Sequence, residues 1–215
     1  MLEEMSAFFE KRLAGYDAHM LTNIEAATEF YPLTASLLPR TADCRVLDLG
    51  CGTGLELEYY LPLNPTARIT GIDLSEKMLD ALRAKFPQRE LTLLSGSYFD
   101  LPLGERVFDA AVSVESLHHF TKAEKIPLYA KLKGALKQGG CFVLTDYFAA
   151  TDEEERACRA RLEALKREAG ITDGALYHYD TPLTVAHERE ALFEAGFLSV
   201  ETLWNRGATH ILRAR

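Results

Sequence analysis

The chain has 215 residues, of which 47% are hydrophobic and 26% charged. That composition is typical of a globular protein, and the length suits one domain better than two. The net charge of -8 counts against a general attraction to nucleic acid or anionic lipid, because both require a basic surface.

The cysteines and the N-terminus indicate the compartment. None of the four cysteines belongs to a CxxC pair, and two lie in apolar runs where a thiol behaves as a small hydrophobic group. The first residues, MLEEMSAFFEKRL, are acidic at the start, unlike a signal peptide, and no later segment is apolar enough to span a bilayer. Reduced cysteines, no membrane and a cytoplasmic location are the resulting expectations.

Residues 1–40 show helical spacing, because apolar residues recur every three or four positions in two segments. Phe8, Phe9 and Leu13 mark the first segment, and Ile24 and Phe30 mark the second. The sequence therefore predicts a helical cap that covers the rest of the fold.

Residues 41–150 alternate short apolar runs with amphipathic segments. Ser75 and Thr121 are suitable N-caps for two of the intervening helices, and Gly139-Gly140 is expected to end the second of them. Such alternation predicts a doubly wound α/β fold with a mostly parallel sheet. The five apolar runs, read as strands, are CRVLDLG, ARITGIDL, ELTLLSG, FDAAVSV and GCFVLTDYF.

Two additions follow this core. Residues 151–183 contain a strongly charged helix, inserted after the fifth strand, and a loop. Residues 184–215 contain a final helix that ends at Gly196 and two strands joined through Arg206-Gly207. We predict seven strands, with a terminal antiparallel pair, in a single domain spanning residues 1–215.

A glycine-rich turn follows the first strand, in the run Asp48-Leu-Gly-Cys-Gly-Thr-Gly. Ligands bind at this edge of an open α/β sheet, beside the first strand. Gly50, Gly52 and Gly54 permit positive φ and a close approach of a ligand to the main chain. Asp73 ends the next strand, where its carboxylate can accept hydrogen bonds from a ribose diol. The pattern indicates a site for a nucleoside.

The nucleoside is not expected to be a dinucleotide. The dinucleotide spacing G-x-G-x-x-G is not met, because Leu55 follows the third glycine. Glu56 and Glu58 also place negative charge near the start of the next helix, which is unfavourable beside a pyrophosphate. A ligand with a zwitterionic amino-acid end fits these residues better.

The run VLDLGCGTG, followed by GIDLSEKML and FDAAVSVESLHHF, resembles the class I (Rossmann-like) S-adenosylmethionine-dependent methyltransferases. The resemblance extends from about Cys44 to Tyr147. It implies a methyltransferase that uses S-adenosyl-L-methionine and releases S-adenosyl-L-homocysteine. It also implies that Asp48 and the backbone of Gly50, Cys51 and Gly52 hold the methionine end, that Asp73 binds the ribose, and that Leu74 and Met78 cover one face of the adenine.

Two further segments resemble cofactor contacts of this family. After the third strand, where the family often has an acidic residue, SGSYFDLPL has Ser97 beside Tyr98, with Asp100 as the alternative acceptor for the adenine amino group. In the cap, AGYDAHM resembles the segment that covers the cofactor, which makes Tyr16 and His19 contact candidates.

Candidate catalytic residues follow the fourth strand, in VSVESLHHF. Glu115 is expected near the sulfonium, and His118 one helical turn beyond it, as a base, a hydrogen-bond donor or merely a helix cap. His119 is interpreted as a packed structural residue. Asp146, Tyr147, His178, Tyr179 and Asp180 are further polar candidates, but their spacing selects no metal.

The sequence leaves several functions open. We expect a small or medium-sized acceptor, but a tRNA base flipped into a pocket is an alternative. A non-catalytic S-adenosylmethionine-binding module, transfer of another substituent from the same sulfonium and a nicotinamide-dependent reductase are the others. A homodimer is also left open.

Overall fold

The computed structural model describes residues 2–215. The N-terminal cap consists of helices α1 (Met5–Arg12), α2 (Tyr16–Asn23) and α3 (Ala27–Leu37), with one 3₁₀ turn at Leu13–Gly15 between the first two. Its apolar residues face the sheet: Phe30, Tyr31 and Ala35 are almost fully buried. The cap is therefore part of the folded core.

The central elements alternate as predicted. Ser75 caps the helix Glu76–Lys85, and Thr121 caps the helix Lys122–Ala135. Thr121 also forms a capping box with Glu124. The elements are β1 (Arg45–Leu49), α4 (Leu55–Leu63), β2 (Arg68–Asp73), α5 (Glu76–Lys85), β3 (Thr92–Ser95), β4 (Phe108–Val114), a 3₁₀ turn (Leu117–His119), α6 (Lys122–Ala135) and β5 (Leu136–Tyr147).

The C-terminal part adds α7 (Asp152–Glu168), α8 (Val185–Glu194), β6 (Val200–Arg206) and β7 (Thr209–Ala214). All seven strands form one sheet in the order β3-β2-β1-β4-β5-β7-β6. The first five run parallel, and β7 pairs antiparallel with both β5 and β6. The predicted α/β fold with a terminal antiparallel pair is confirmed.

The order of strands locates the ligand-binding edge. The chain moves outward from β1 through β2 to β3 and then returns to place β4 on the other side of β1. The loops after β1 and β4 therefore diverge at one edge of the sheet, which is the switch point where open α/β sheets bind ligands. Both predicted motifs, the glycine turn and the ESLHH segment, lie there.

Gly139 and Gly140 do not end the helix before β5, contrary to the sequence prediction. The helix ends at Ala135, and β5 begins at Leu136 and runs through both glycines. The pairing of β4 with β5 shifts register between Phe108 and Ala110, so the glycines lie in an irregular stretch of the strand. Gly139 has φ of 80°, a backbone conformation that suits glycine in a bulge.

Within residues 2–215, no helix is both long enough and apolar enough to cross a bilayer.

Candidate active site

The glycine turn is tied to the neighbouring strand by its own amides. Gly50, Gly52 and Gly54 all have positive φ, at 73°, 48° and 73°. The amides of Gly50 and Cys51 donate to the carbonyl of Ile72 at 2.8 and 3.1 Å. These bonds hold the turn in a fixed shape at the edge of the sheet, with the thiol of Cys51 buried beneath it.

Asp73 connects this turn to the start of α5. Its Oδ2 accepts a hydrogen bond from the amide of Gly52 at 2.9 Å, and its Oδ1 accepts one from the amide of Ser75 at 2.8 Å. Burial raises the pKa of Asp73, and these amide bonds partly offset the rise. A carboxylate oxygen can accept more than one hydrogen bond, so the group is held in place and can still bind a diol.

Asp48 and Glu56 form a buried carboxyl pair behind the turn. Their exposed fractions are 1% and 5%, and no hydrogen-bond partner reaches Asp48 Oδ2 or Glu56 Oε1. Burial, with the neighbouring Glu56 carboxylate, raises the pKa of Asp48 well above its usual range, and burial also raises the pKa of Glu56. Both carboxyl groups therefore lie beneath the turn in an environment that favours their protonated forms.

This pair predicts an unusual dependence of stability on pH. The folded protein holds more protons on Asp48 and Glu56 than the unfolded chain does, so its free energy of unfolding should fall as pH rises above their ordinary pKa values of 3.8 and 4.5. Each unit of raised pKa corresponds to about 1.4 kcal/mol. In Asp48→Asn we expect the free energy of unfolding, measured with urea, to fall less between acidic and neutral pH than in wild type.

The matched control is Asp43→Asn, since Asp43 is exposed and has the positive φ that asparagine tolerates. This control should keep the wild-type dependence on pH. If the free energy of unfolding depended on pH equally in wild type and in Asp48→Asn, the pair would not hold additional protons in the folded state.

A small cavity of about 50 Å³ lies over the glycine turn. Predicted cofactor residues in its walls are Tyr16, Gly50, Gly52, Asp73, Leu74, Met78, Tyr98 and Glu115. Met5 and Phe9 of α1 cover it from the cap side. Ligand pockets usually measure about 300–1,000 Å³, so α1 has to move before a nucleoside can enter.

Three predicted cofactor residues do not line this cavity: Asp48, which lies behind the turn, Cys51 and Ser97. The hydroxyl of Ser97 accepts a hydrogen bond from the amide of Phe99 at 3.1 Å within its own turn. The side chain of Cys51 is buried against Gly71 and away from the cavity. The backbone of Cys51 belongs to the glycine turn, and the aromatic ring of Tyr98 forms a cavity wall beside Ser116.

A larger cavity of about 730 Å³ adjoins the first. Aromatic residues of the cap form one side, and the segment after β4, the 178–180 loop and the end of β5 form the other. The two cavities share four lining residues: Phe9, Tyr16, Glu115 and His119. The two cavities therefore adjoin at these four residues.

Glu115 lies at the boundary between the two cavities. Its backbone has φ of 50°, which is uncommon for a residue other than glycine and indicates a fixed loop. Its Oε1 is buried without a hydrogen-bond partner. Burial, together with the Asp146 carboxylate, raises the pKa of Glu115 to about 8.

His118 is held in place by Asp146. Its Nδ1 lies 2.5 Å from Asp146 Oδ1, while Asp146 Oδ2 accepts the amide of Leu117 at 2.9 Å. Burial opposes a charge on His118, but the carboxylates of Asp146, Asp180 and Glu115 outweigh it and raise its pKa to about 10. The other ring nitrogen, Nε2, points towards Asp180 beside the larger cavity.

His119 has a different position from the one expected. It lines both cavities, and its ring lies 4.0 Å from that of His118. Burial and the neighbouring His118 charge lower the pKa of His119 to about 4. The 3₁₀ turn at Leu117–His119 brings both rings to the site.

Comparison with known proteins agrees with this architecture. The family "Methyltransferase domain" matches residues 46–140. The carboxy-S-adenosyl-L-methionine synthase of Wolinella succinogenes is 32% identical over 95% of this chain and 92% of its own length. An uncharacterized methyltransferase of Synechocystis sp. is 32% identical over 58% of this chain, and the match spans only 57% of that relative.

Among solved structures, an S-adenosylmethionine-dependent methyltransferase from Mesorhizobium loti superposes with a TM-score of 0.62 at 23% identity, covering 86% of this chain and 96% of that one. This likeness supports the fold. The chain belongs to the class I, Rossmann-like family of S-adenosylmethionine-dependent methyltransferases, and its cofactor is S-adenosyl-L-methionine.

Proposed function

We propose that this methyltransferase acts on a small or medium-sized acceptor that binds in the larger cavity. The observation that carries the proposal is the shared wall of the two cavities at Phe9, Tyr16, Glu115 and His119. A volume of about 730 Å³ is within the usual range for small-molecule sites. The cap encloses this volume, which favours a small molecule over a surface-bound macromolecule.

The residues of the glycine turn fit the cofactor. Asp73 would bind the ribose, Leu74, Met78 and Tyr98 would contact the adenine, and the turn itself would hold the methionine end. Asp48 and Glu56 line neither cavity, so they would support the turn from behind rather than contact the ligand. When bound, S-adenosylmethionine supplies a methyl group that is already activated by the positive sulfur. The protein then mainly has to align the acceptor and exclude water.

Glu115 and His118 are our proposed catalytic residues. Glu115 borders both cavities, so its unpartnered oxygen can contact an acceptor placed against the methyl group. His118, oriented by Asp146, presents its second ring nitrogen to the same space. Together they would orient the reacting atom of the acceptor.

A second candidate function is supported by the relative from Wolinella, whose match covers nearly the whole of both chains. In that case the protein would convert S-adenosylmethionine into a derivative that carries a carboxyl group. Arg12 lines the larger cavity and offers a cation for a carboxylate. Mass spectrometry of the nucleoside that co-purifies with the protein separates the two functions, because the derivative is heavier by one carboxyl group.

The main proposal is tested with Glu115→Gln. At pH 9, above the raised pKa of Glu115, loss of hydrogen bonds to the charged carboxylate costs about 1.5–3 kcal/mol, so we expect the rate of S-adenosylhomocysteine release to fall roughly 10-fold to 100-fold. Calorimetric titration with S-adenosylmethionine should show a smaller change in Kd than in rate, because Glu115 is only one of the residues that line the smaller cavity. Glu163→Gln, at an exposed position of α7, is the control and should keep full activity.

Three results would count against the proposal. Glu115→Gln with wild-type turnover would remove Glu115 from the reaction. Cofactor binding without release of S-adenosylhomocysteine, with any acceptor from a chemically diverse panel, would favour a non-catalytic binding module. If tRNA were methylated and no small molecule of the panel were, the acceptor would be a nucleic acid.

A further inference from the structure

A cluster of imidazoles and carboxylates lies in the wall of the larger cavity. His118 and His119 come from the 3₁₀ turn after β4, and His178 and Asp180 come from the loop before α8. His118, His119 and Asp180 each offer one ligand atom, and these three atoms lie within 4.8 Å of one another. Two distant parts of the chain therefore bring metal-binding groups to one point.

The distances from Asp180 to the imidazoles are compatible with a shared cation, which would replace the contact of His119 Nδ1 with the Tyr179 carbonyl at 3.3 Å. Asp180 Oδ1 lies 3.2 Å from His119 Nδ1, 3.6 Å from His118 Nε2 and 4.0 Å from His178 Nε2. This oxygen is buried and has no hydrogen-bond partner. Two ligand atoms on a tetrahedral ion with bonds of 2.0–2.1 Å are about 3.3 Å apart, so the spacing resembles that of ligands around one ion.

The residues behind the cluster support the same conclusion. Histidine ligands of metals usually donate their other ring N–H to a carboxylate, which fixes the ring. His118 has this arrangement, because its Nδ1 is bonded to the buried Asp146 while Nε2 points to Asp180. His178 is fixed by stacking on Phe8, with ring centroids 3.4 Å apart. The rings are therefore held in place before any ligand arrives.

The charge around the cluster also favours a cation. Glu115, Asp146 and Asp180 bring three carboxyl groups to the imidazoles. Among the described residues that line the larger cavity, Arg12 is the only lysine or arginine, and it contacts Glu3 and the ring of Phe8. Asp180 is 46% exposed at its side chain, which leaves the cluster accessible from the cavity.

We propose that His118, His119 and Asp180, with His178 as a fourth donor, bind one divalent transition-metal ion. Imidazole nitrogen combined with a single carboxylate oxygen suits zinc, iron, cobalt or nickel, whereas magnesium prefers oxygen ligands. The ion would face the acceptor cavity, and His118 would then act on the acceptor through the ion, since its one available ring nitrogen, Nε2, would be a ligand. If the proposed function holds, the acceptor would be a molecule whose oxygen or sulfur atom can coordinate a metal and so lose its proton more readily.

The test uses tag-free, full-length protein that has been treated with EDTA and dialysed. Titration with CoCl₂ and ZnCl₂, followed by calorimetry and by the visible absorption of cobalt, should show one equivalent bound with micromolar or tighter Kd. MgCl₂ should show no comparable binding. Failure of wild-type protein to bind one equivalent of cobalt or zinc would overturn the proposal.

Variants locate the ion. His119→Gln and Asp180→Asn should each abolish stoichiometric binding, and Asp146→Asn, which acts through His118, should weaken it about 10-fold to 100-fold. The control is His210→Gln, because His210 lies outside the cluster on β7. Wild-type affinity in both ligand variants would overturn the assignment. Asp180→Asn is decisive if His119→Gln fails to fold, because the Asp180 side chain is half exposed.

The same samples separate this inference from the proposed function. Metal-free protein should still bind S-adenosylmethionine, because the glycine turn and Asp73 supply the proposed cofactor contacts and, of the four proposed ligands, one, His119, lines the smaller cavity. Cofactor binding without metal binding would remove only the metal site. Metal binding without cofactor binding would leave the site and contradict the placement of the cofactor.

Discussion

Replacing Asp73 with alanine is expected to weaken S-adenosylmethionine binding by about 3 kcal/mol, or roughly 100-fold in Kd. The proposed ribose contact consists of two charge-assisted hydrogen bonds, each worth about 1.5–3 kcal/mol. The carboxylate also holds the amides of Gly52 and Ser75, so its removal should loosen the glycine turn as well. Calorimetric titration of the variant with S-adenosylmethionine gives the change in Kd.

Two comparisons separate binding from folding in this experiment. Urea unfolding of Asp73→Ala establishes that the titrated protein is folded. Asp80→Ala, on the exposed face of α5, loses a surface pair with Arg83 and should bind the cofactor as wild type does. An unchanged Kd in a folded Asp73→Ala protein would mean that this carboxylate does not contact the ribose.

Gly50→Ala is expected to be strongly destabilising. A methyl group at Gly50 would lie 2.6 Å from Ser116 Cβ and closer still to its hydroxyl. Overpacking costs about 1–3 kcal/mol, and the left-handed backbone, with φ of 73°, adds about 1–2 kcal/mol for alanine. We expect a loss of about 2–5 kcal/mol in the free energy of unfolding, measured with urea, together with loss of cofactor binding.

Two variants divide this cost into its causes. Gly139→Ala has a similar φ of 80° but no atom within 4 Å of the added methyl, so it should lose only the backbone part, about 1–2 kcal/mol. Gly50→Ala combined with Ser116→Gly removes the clash and should recover the overpacking part. If Gly50→Ala were no more destabilising than Gly139→Ala, the close contact between the two switch-point loops would not exist in solution.

Most of the fold could be predicted from periodicity, because both faces of a central parallel sheet are buried and its strands read as apolar runs. The N-caps at Ser75 and Thr121 could also be predicted, since a side chain must satisfy the free amides at a helix start. The bulge at Gly139 could not be predicted, because a glycine pair that ends a helix and a glycine pair that bends a strand look the same in sequence.

The site was only partly predictable. The glycine turn and Asp73 have fixed spacing on adjacent strands, so the topology alone brings them together. The contacts of His119 with the Tyr179 carbonyl and with Asp180 depend on a 3₁₀ turn and on a loop about 60 residues later, and no local pattern encodes them. The burial of Glu56 was also hidden, since a glutamate in the first turn of a helix normally reads as a solvated charge.

The cap has a kinetic consequence. Phe9 and Tyr16 form walls of both cavities, and α1 is joined to the 176–178 loop by the hydrogen bond from the Met5 amide to the Leu176 carbonyl. One outward movement of α1 would uncover the cofactor and the acceptor together. The nucleoside product and the modified acceptor would then leave through the same opening, so the opening rate of this helix would set an upper limit on turnover.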